Sequence, residues 1–155
     1  MRLSNCDTQL FLVNVCKQCV SDENACEKFC SVISVITNVN ELFPDALLIL
    51  GGDFNVDFSR FSSRADSLVR FCSDFNMLSV INHPALDVDH TYNFSVSRFS
   101  TIDHFLLPKY VFDSSVEAVK VSHDVDNTSD HDPLFLQLNV CYAAHTAYVS
   151  RSTES

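Results

Sequence analysis

Three short segments place acidic, amide or histidine side chains directly beside apolar runs: Gly52-Asp53-Phe54-Asn55, Ile102-Asp103-His104 and Ser129-Asp130-His131-Asp132. Open α/β sheets bind ligands just beyond their strand ends, where a rigid sheet holds the loop residues. If the three segments converge, their carboxylates repel one another and need a cation to stay ionised. Carboxylate oxygens with an amide such as Asn55, and few sulfurs, favour Mg2+ or Mn2+ over a softer metal. A histidine beside a carboxylate adds an oriented proton acceptor or a donor to a phosphoryl oxygen. The set points to hydrolysis of a phosphate ester. Gly51 and Gly52, the only glycines in the chain, would let the backbone turn sharply and come close to a ligand.

These groups need a scaffold, and the apolar pattern supplies one. Leu10 to Val15 reads as a strand covered on both faces. From Asp22 to Phe43 apolar residues recur three or four apart, predicting a helix with Ser21 as its cap and Pro44 at its end. Ala46 to Leu50 is the most hydrophobic run and predicts a central strand stopped by Gly51-Gly52. Ser63-Arg64-Ala65-Asp66 has capping-box spacing, ahead of a helix face of Leu68, Phe71, Cys72 and Phe75. Strands are expected at Leu78 to Ile81, Thr91 to Phe94, Ile102 to Leu107, Val116 to Val121 and Leu134 to Val140, with a polar loop from Ser122 to Pro133. The second half therefore reads as mostly sheet.

Composition narrows the options. A length of 155 residues suits one domain. A formal net charge of -10 beside 46% hydrophobic residues excludes both a disordered acidic tail and a partner held mainly by a basic surface. Two adjacent glycines leave no Rossmann fingerprint or P-loop. Seven cysteines are an odd number, which favours a reducing compartment. No signal peptide and no bilayer-spanning run is readable, so an intracellular location is favoured.

In order, Gly51-Gly52-Asp53-Phe54-Asn55, Ser100-Thr101-Ile102-Asp103-His104-Phe105-Leu106-Leu107 and Ser129-Asp130-His131-Asp132-Pro133-Leu134 resemble the endonuclease/exonuclease/phosphatase superfamily. The double glycine and the last run are most similar to the endonuclease domain of non-LTR retrotransposons. The resemblance implies an incomplete two-sheet α/β sandwich, with residues 1–9 as a lead, 10–140 as a partial domain and 141–155 as a tail. It implies that Asp53 orients or deprotonates the attacking water and that Asn55 touches the scissile phosphate. His131 would contact the phosphate, Asp103 would fix its imidazole, and Asp130 would be a ligand to Mg2+ or Mn2+. Thr91 is placed near the site.

The sequence also departs from the family. Members have an early strand carrying an asparagine and another carrying a glutamate that ligates the metal, and neither has a counterpart here, so N-terminal truncation and impaired activity are expected. Cys16 stands where the family has a tyrosine, and its thiol lacks the phenolic reach. Between Asp87 and Asp132, Arg98, Lys109 and Lys120 are the only bases against nine acids, so DNA would be held weakly. Three functions follow: impaired metal-dependent phosphodiester hydrolysis on DNA, a phosphatase or phosphodiesterase on small-molecule or lipid substrates, or a nonenzymatic remnant or interaction protein. Exposed sheet edges would favour self-association.

Other polar groups carry blander readings. His83, His90, His104, His123 and His145 read as surface histidines. The acidic loop Asp124 to Asp130 lacks the glycine and glutamate of a calcium loop. Cys16-x2-Cys19 and Cys26-x3-Cys30 read as packing or idle thiols rather than a zinc site.

Overall fold

The computed structural model describes residues 9–16, 25–84, 86–87, 90–95 and 98–139. Its elements are β1 (Leu10–Cys16), α1 (Ala25–Leu42), β2 (Leu47–Asp53), α2 (Ser63–Asp74), β3 (Met77–Ser79), β4 (Leu86–Asp87), β5 (Tyr92–Ser95), β6 (Arg98–Ser100), β7 (Asp103–Pro108), α3 (Lys109–Ser115), β8 (Val116–Val121) and β9 (Leu134–Leu138). The expected helix cap Ser21, residues 1–8 of the lead, the tail 141–155 and His145 lie outside the described residues.

The continuous apolar run of β2 fits a strand buried from both sides. Leu48 and Leu50 pack into a core with Phe29 and Ile36 of α1 and with Leu68 and Phe71 of α2. Leu47 and Ile49, on the opposite face, pack with Val111 and Phe112 of α3 and Val119 of β8. Each such side chain, once fully buried, contributes about 1.5–3 kcal/mol. A four-stranded sheet of order β1-β2-β7-β3 thus lies between the two long helices and a three-stranded sheet of order β4-β8-β9. β5 and β6 form a separate hairpin. The architecture is the expected α/β arrangement of sheets and helices.

Several local expectations are corrected. β1 pairs parallel to β2 at the edge of its sheet, and Leu12 is 71% exposed, so only one face is covered. An apolar run identifies a strand but does not say how many layers cover it. β2 does not stop at the glycine pair; it runs through both to Asp53, in register with β1 and β7. The reason is steric: a Cβ on Gly51 would stand 2.5 Å from the Phe105 ring, and one on Gly52, at φ +129°, would run into the Val15 carbonyl. These glycines let strands approach. The cap of α2 is Ser62, whose hydroxyl accepts from Ala65 N–H at 3.0 Å, one residue before the expected position. The strand expected at Leu78 to Ile81 divides into β3 and a single 3-10 turn, Val80–Asn82. Helix α3 was not anticipated in a half read as sheet; its seven residues are too few to display a helical period, and Val111, Phe112 and Ser115 are buried.

Candidate active site

Asp53 ends β2 and Asp103 begins β7, and the two are direct partners in the antiparallel register. Two carboxylates are therefore set opposite each other where the central strands end. The chain leaves β2 through a tight turn in which Asn55 adopts φ +53° and donates its backbone N–H to Asp53 Oδ1 at 2.8 Å. Buried Phe54 anchors this turn, its N–H bonding to the Ile102 carbonyl at 3.1 Å.

His131 meets the pair from the loop between β8 and β9. Its Nδ1 lies 3.0 and 3.2 Å from the two Asp103 oxygens, so Nδ1–H donates to the carboxylate and Nε2 is turned away from it. The Tyr92 ring packs 4.8 Å from the imidazole, centre to centre, and a backbone bridge joins Tyr92 to His131. Asn93 N–H bonds to the Asp130 carbonyl at 2.8 Å, while the Asp130 side chain stays exposed.

Electrostatics tie the group together. Burial acts to lower the His131 pKa, but its hydrogen bond to Asp103 and the charges of Asp103, Asp53 and Asp130 outweigh it and raise the value above that of an ordinary histidine. Asp53 is raised first by burial and also by the Asp103 and Asp130 charges, against the opposing Asn55 hydrogen bond and His131. A carboxylate held this way is one that a cation would restore. A cavity of about 360 Å³ opens beside the pair, lined by Gly52, Asp103, His131, Ser129, Asn127 and Asp132 among others. Asp53, Asn55 and Asp130 are not part of its lining.

Of the residues expected from sequence, Asp53, Asp103 and His131 are thus gathered, Asn55 joins through its backbone, and Asp130 contributes its charge from the exposed rim. Thr91 is fully buried, and its Oγ1 accepts from the N–H groups of Ile102 and Asp103, each at 3.2 Å, while its carbonyl takes the Asp132 N–H at 2.8 Å. It binds two of the site's segments together.

Other histidines depart from the surface reading. His104 is fully buried, with Nε2 donating to the Val56 carbonyl at 2.6 Å and Nδ1 3.3 Å from the Ser79 hydroxyl. Burial keeps its pKa below the ordinary value despite the Val56 bond and the Asp103 and Asp57 charges, so it stays neutral. Its bond to Val56 pins the loop after Asp53. His90 has a side chain only 13% exposed and stacks on His123 with ring centres 4.5 Å apart. His123 is exposed, but its Nδ1 lies 2.8 Å from Asp132 Oδ2. The sequence names Asp132 within the third polar segment but assigns it no role of its own. Burial acts to raise its pKa; hydrogen bonds from His123, Asn127 and Asn93 overcome this and hold it low.

No protein-family model matches the chain, and no curated protein matches it. Solved structures do. The endonuclease domain of TRAS1, a telomere-specific non-LTR retrotransposon, superimposes with a TM-score of 0.57 at 20% identity, over 72% of this chain and 52% of that one. An AP endonuclease from Archaeoglobus fulgidus gives 0.64 at 14% identity, over 84% and 62%. A mannosyl-6-phosphatase from Bacteroides thetaiotaomicron gives 0.54 at 23% identity, over 84% and 50%. The chain spans about half the length of the first and third of these structures and 62% of the second. It has, over that length, the α/β fold of the endonuclease/exonuclease/phosphatase superfamily.

Proposed function

We propose that this chain derives from a divalent-metal-dependent phosphodiesterase acting on DNA, with Asp53, Asn55, Asp103 and His131 as its reactive residues. The observation that carries the proposal is the contact of His131 with Asp103, directly across the strand register from Asp53. In this reading Asp53 orients and deprotonates the attacking water, and Asn55 steadies the phosphate. Asp103 holds the His131 imidazole so that Nε2 faces a phosphoryl oxygen and offsets the charge developing there. Asp130 and Asp53 offer the hard oxygen donors that suit Mg2+ or Mn2+. The bound ion would supply Lewis-acid polarisation of the phosphate.

Activity of these 155 residues alone is expected to be weak. Among the described residues the group whose ligand atoms close to within 4.8 Å is His90, His123 and Asp132, not Asp53, Asp103 and Asp130. The excess of acids over bases also leaves few cations to grip a polyanion. Nicking of supercoiled plasmid in Mg2+ tests the proposal: slow, EDTA-sensitive nicking that vanishes in Asp53→Ala is expected, and nicking no faster than a mock purification refutes it.

A second reading has its own support. The net charge of -10 suits a small phosphate ester better than a nucleic acid. Turnover of soluble phosphate esters with no DNA cleavage would favour it, and an inert substrate panel would exclude it. A nonenzymatic role remains the third reading, which metal-dependent turnover of either substrate class would exclude. We also propose self-association through the exposed β1 edge, which light scattering would refute by showing a clean monomer. No described helix is long and apolar enough to cross a membrane.

A further inference from the structure

We propose that His90, His123 and Asp132 form a zinc site, separate from the oxygen-donor centre at Asp53, that fastens the loop carrying His131 to the β5-β6 hairpin. One ligand atom from each residue lies within 4.8 Å of the others. Asp132 Oδ2 is the common point, 2.8 Å from His123 Nδ1 and 3.8 Å from His90 Nε2. Ligands on tetrahedral Zn2+ at about 2.0–2.1 Å stand about 3.3 Å apart. The two carboxylate separations bracket that value and the two imidazole nitrogens lie within 4.8 Å of each other, so small side-chain rotations would bring the three atoms onto one ion.

The donor types select the metal class. Two imidazoles and one carboxylate suit Zn2+ and related transition ions, and are too nitrogen-rich for Mg2+. The surroundings resemble the support that metal carboxylates receive. Asn93 Nδ2 donates to Asp132 Oδ2 at 3.0 Å, and Asn127 Nδ2 donates to Oδ1 at 3.2 Å, fixing the carboxylate plane. The Asn93 carboxamide oxygen is buried with no hydrogen-bond partner among the described residues, an acceptor that a metal-bound water could satisfy. Three protein ligands leave the fourth position to such a water.

Topology gives the ion a task. His90 immediately precedes Thr91 and β5, while His123 and Asp132 flank the loop that contains Asp130 and His131. An ion on all three would close that loop onto the hairpin. It would hold His131 near Asp103 without touching substrate.

The test uses the full chain, with Zn2+ titrated calorimetrically and Co2+ used as a spectroscopic probe. One equivalent of Zn2+ should bind and raise the melting temperature. Co2+ should give the visible absorption of a four-coordinate nitrogen-oxygen site, without the near-ultraviolet thiolate charge transfer that cysteine ligation would produce. His123→Gln, at an exposed position, should weaken Zn2+ by more than about tenfold, and Asn127→Ala by about tenfold or more. Asp53→Asn should leave binding unchanged. Absence of stoichiometric binding, a thiolate band, or wild-type affinity in His123→Gln and in His90→Gln would overturn the proposal.

Discussion

Replacing Thr91 by valine should damage the site from beneath while leaving its shape intact. Valine has nearly the volume of threonine, so packing at this fully buried position is preserved. What disappears is one oxygen that accepts from two backbone donors, Ile102 N–H and Asp103 N–H, each at 3.2 Å. A buried donor stripped of its acceptor costs about 1–3 kcal/mol. Because both bonds share one acceptor and the strand end can relax, a combined loss of about 2–4 kcal/mol is expected. For a chain of this size that lowers the melting temperature by about 4–16 °C. Thr91→Ser provides the discriminating control, since it deletes a methyl group but keeps the oxygen and should lose only about 1 kcal/mol. Urea denaturation of the three proteins measures the differences directly. Valine within about 0.5 kcal/mol of wild type, or valine more stable than serine, would refute the reasoning that this hydroxyl organises the β7 start.

Other perturbations have equally definite outcomes. The folded pKa of His131 lies above 6.5, so the stability it contributes is complete below that value and is lost as pH rises through the folded pKa. In metal-free buffer the gap in stability between wild type and Asp103→Asn should therefore narrow as pH rises above 6.5, and a constant gap contradicts it. Asp53 is also raised, and for a carboxylate this means stability present below 3.8 is lost as the group ionises. Asp53→Asn should raise the melting temperature at neutral pH while removing any hydrolysis, and a lowered melting temperature would count against the burial argument. Gly52→Ala, which drives a Cβ into the Val15 carbonyl at φ +129°, should cost about 2–6 kcal/mol from backbone strain and overpacking, readable by circular dichroism melts. Cys72, whose thiol burial pushes up to about 11, should react with a thiol reagent far more slowly than exposed Cys16 and Cys30; equal rates would show that it is not shielded.

How far the sequence discloses this structure depends on the kind of signal. The run Leu47 to Leu50 announced a doubly covered strand because every one of its side chains had somewhere to go. Leu10 to Val15 has the same composition, and its edge position depends on what lies beside it, which no local pattern contains. Gly51-Gly52 reads as a stop in isolated sequence because glycine marks turns; in the fold it answers the Phe105 ring and the Val15 carbonyl, both distant in the chain. The polar segments at Asp53, Asp103 and His131 are legible as groups at strand ends, and the resemblance carried by their order points to the fold observed. The cluster of His90, His123 and Asp132 was not legible, since three residues 9 to 42 positions apart form no motif until β5 and the β8-β9 loop are laid together. His104 stands beside Asp103 in sequence yet points to the opposite side of β7, as alternation in a strand requires.

In the proposed mechanism Asp103 and His131 act as one unit opposite Asp53. Metal-dependent hydrolysis of a DNA phosphodiester, measured at single turnover in wild type, Asp103→Asn, His131→Ala and the double variant, addresses it most directly. Rates in the double variant should fall no further than in His131→Ala alone. Losses that multiply across the two sites, or rates in all four proteins that match one another, would contradict the account.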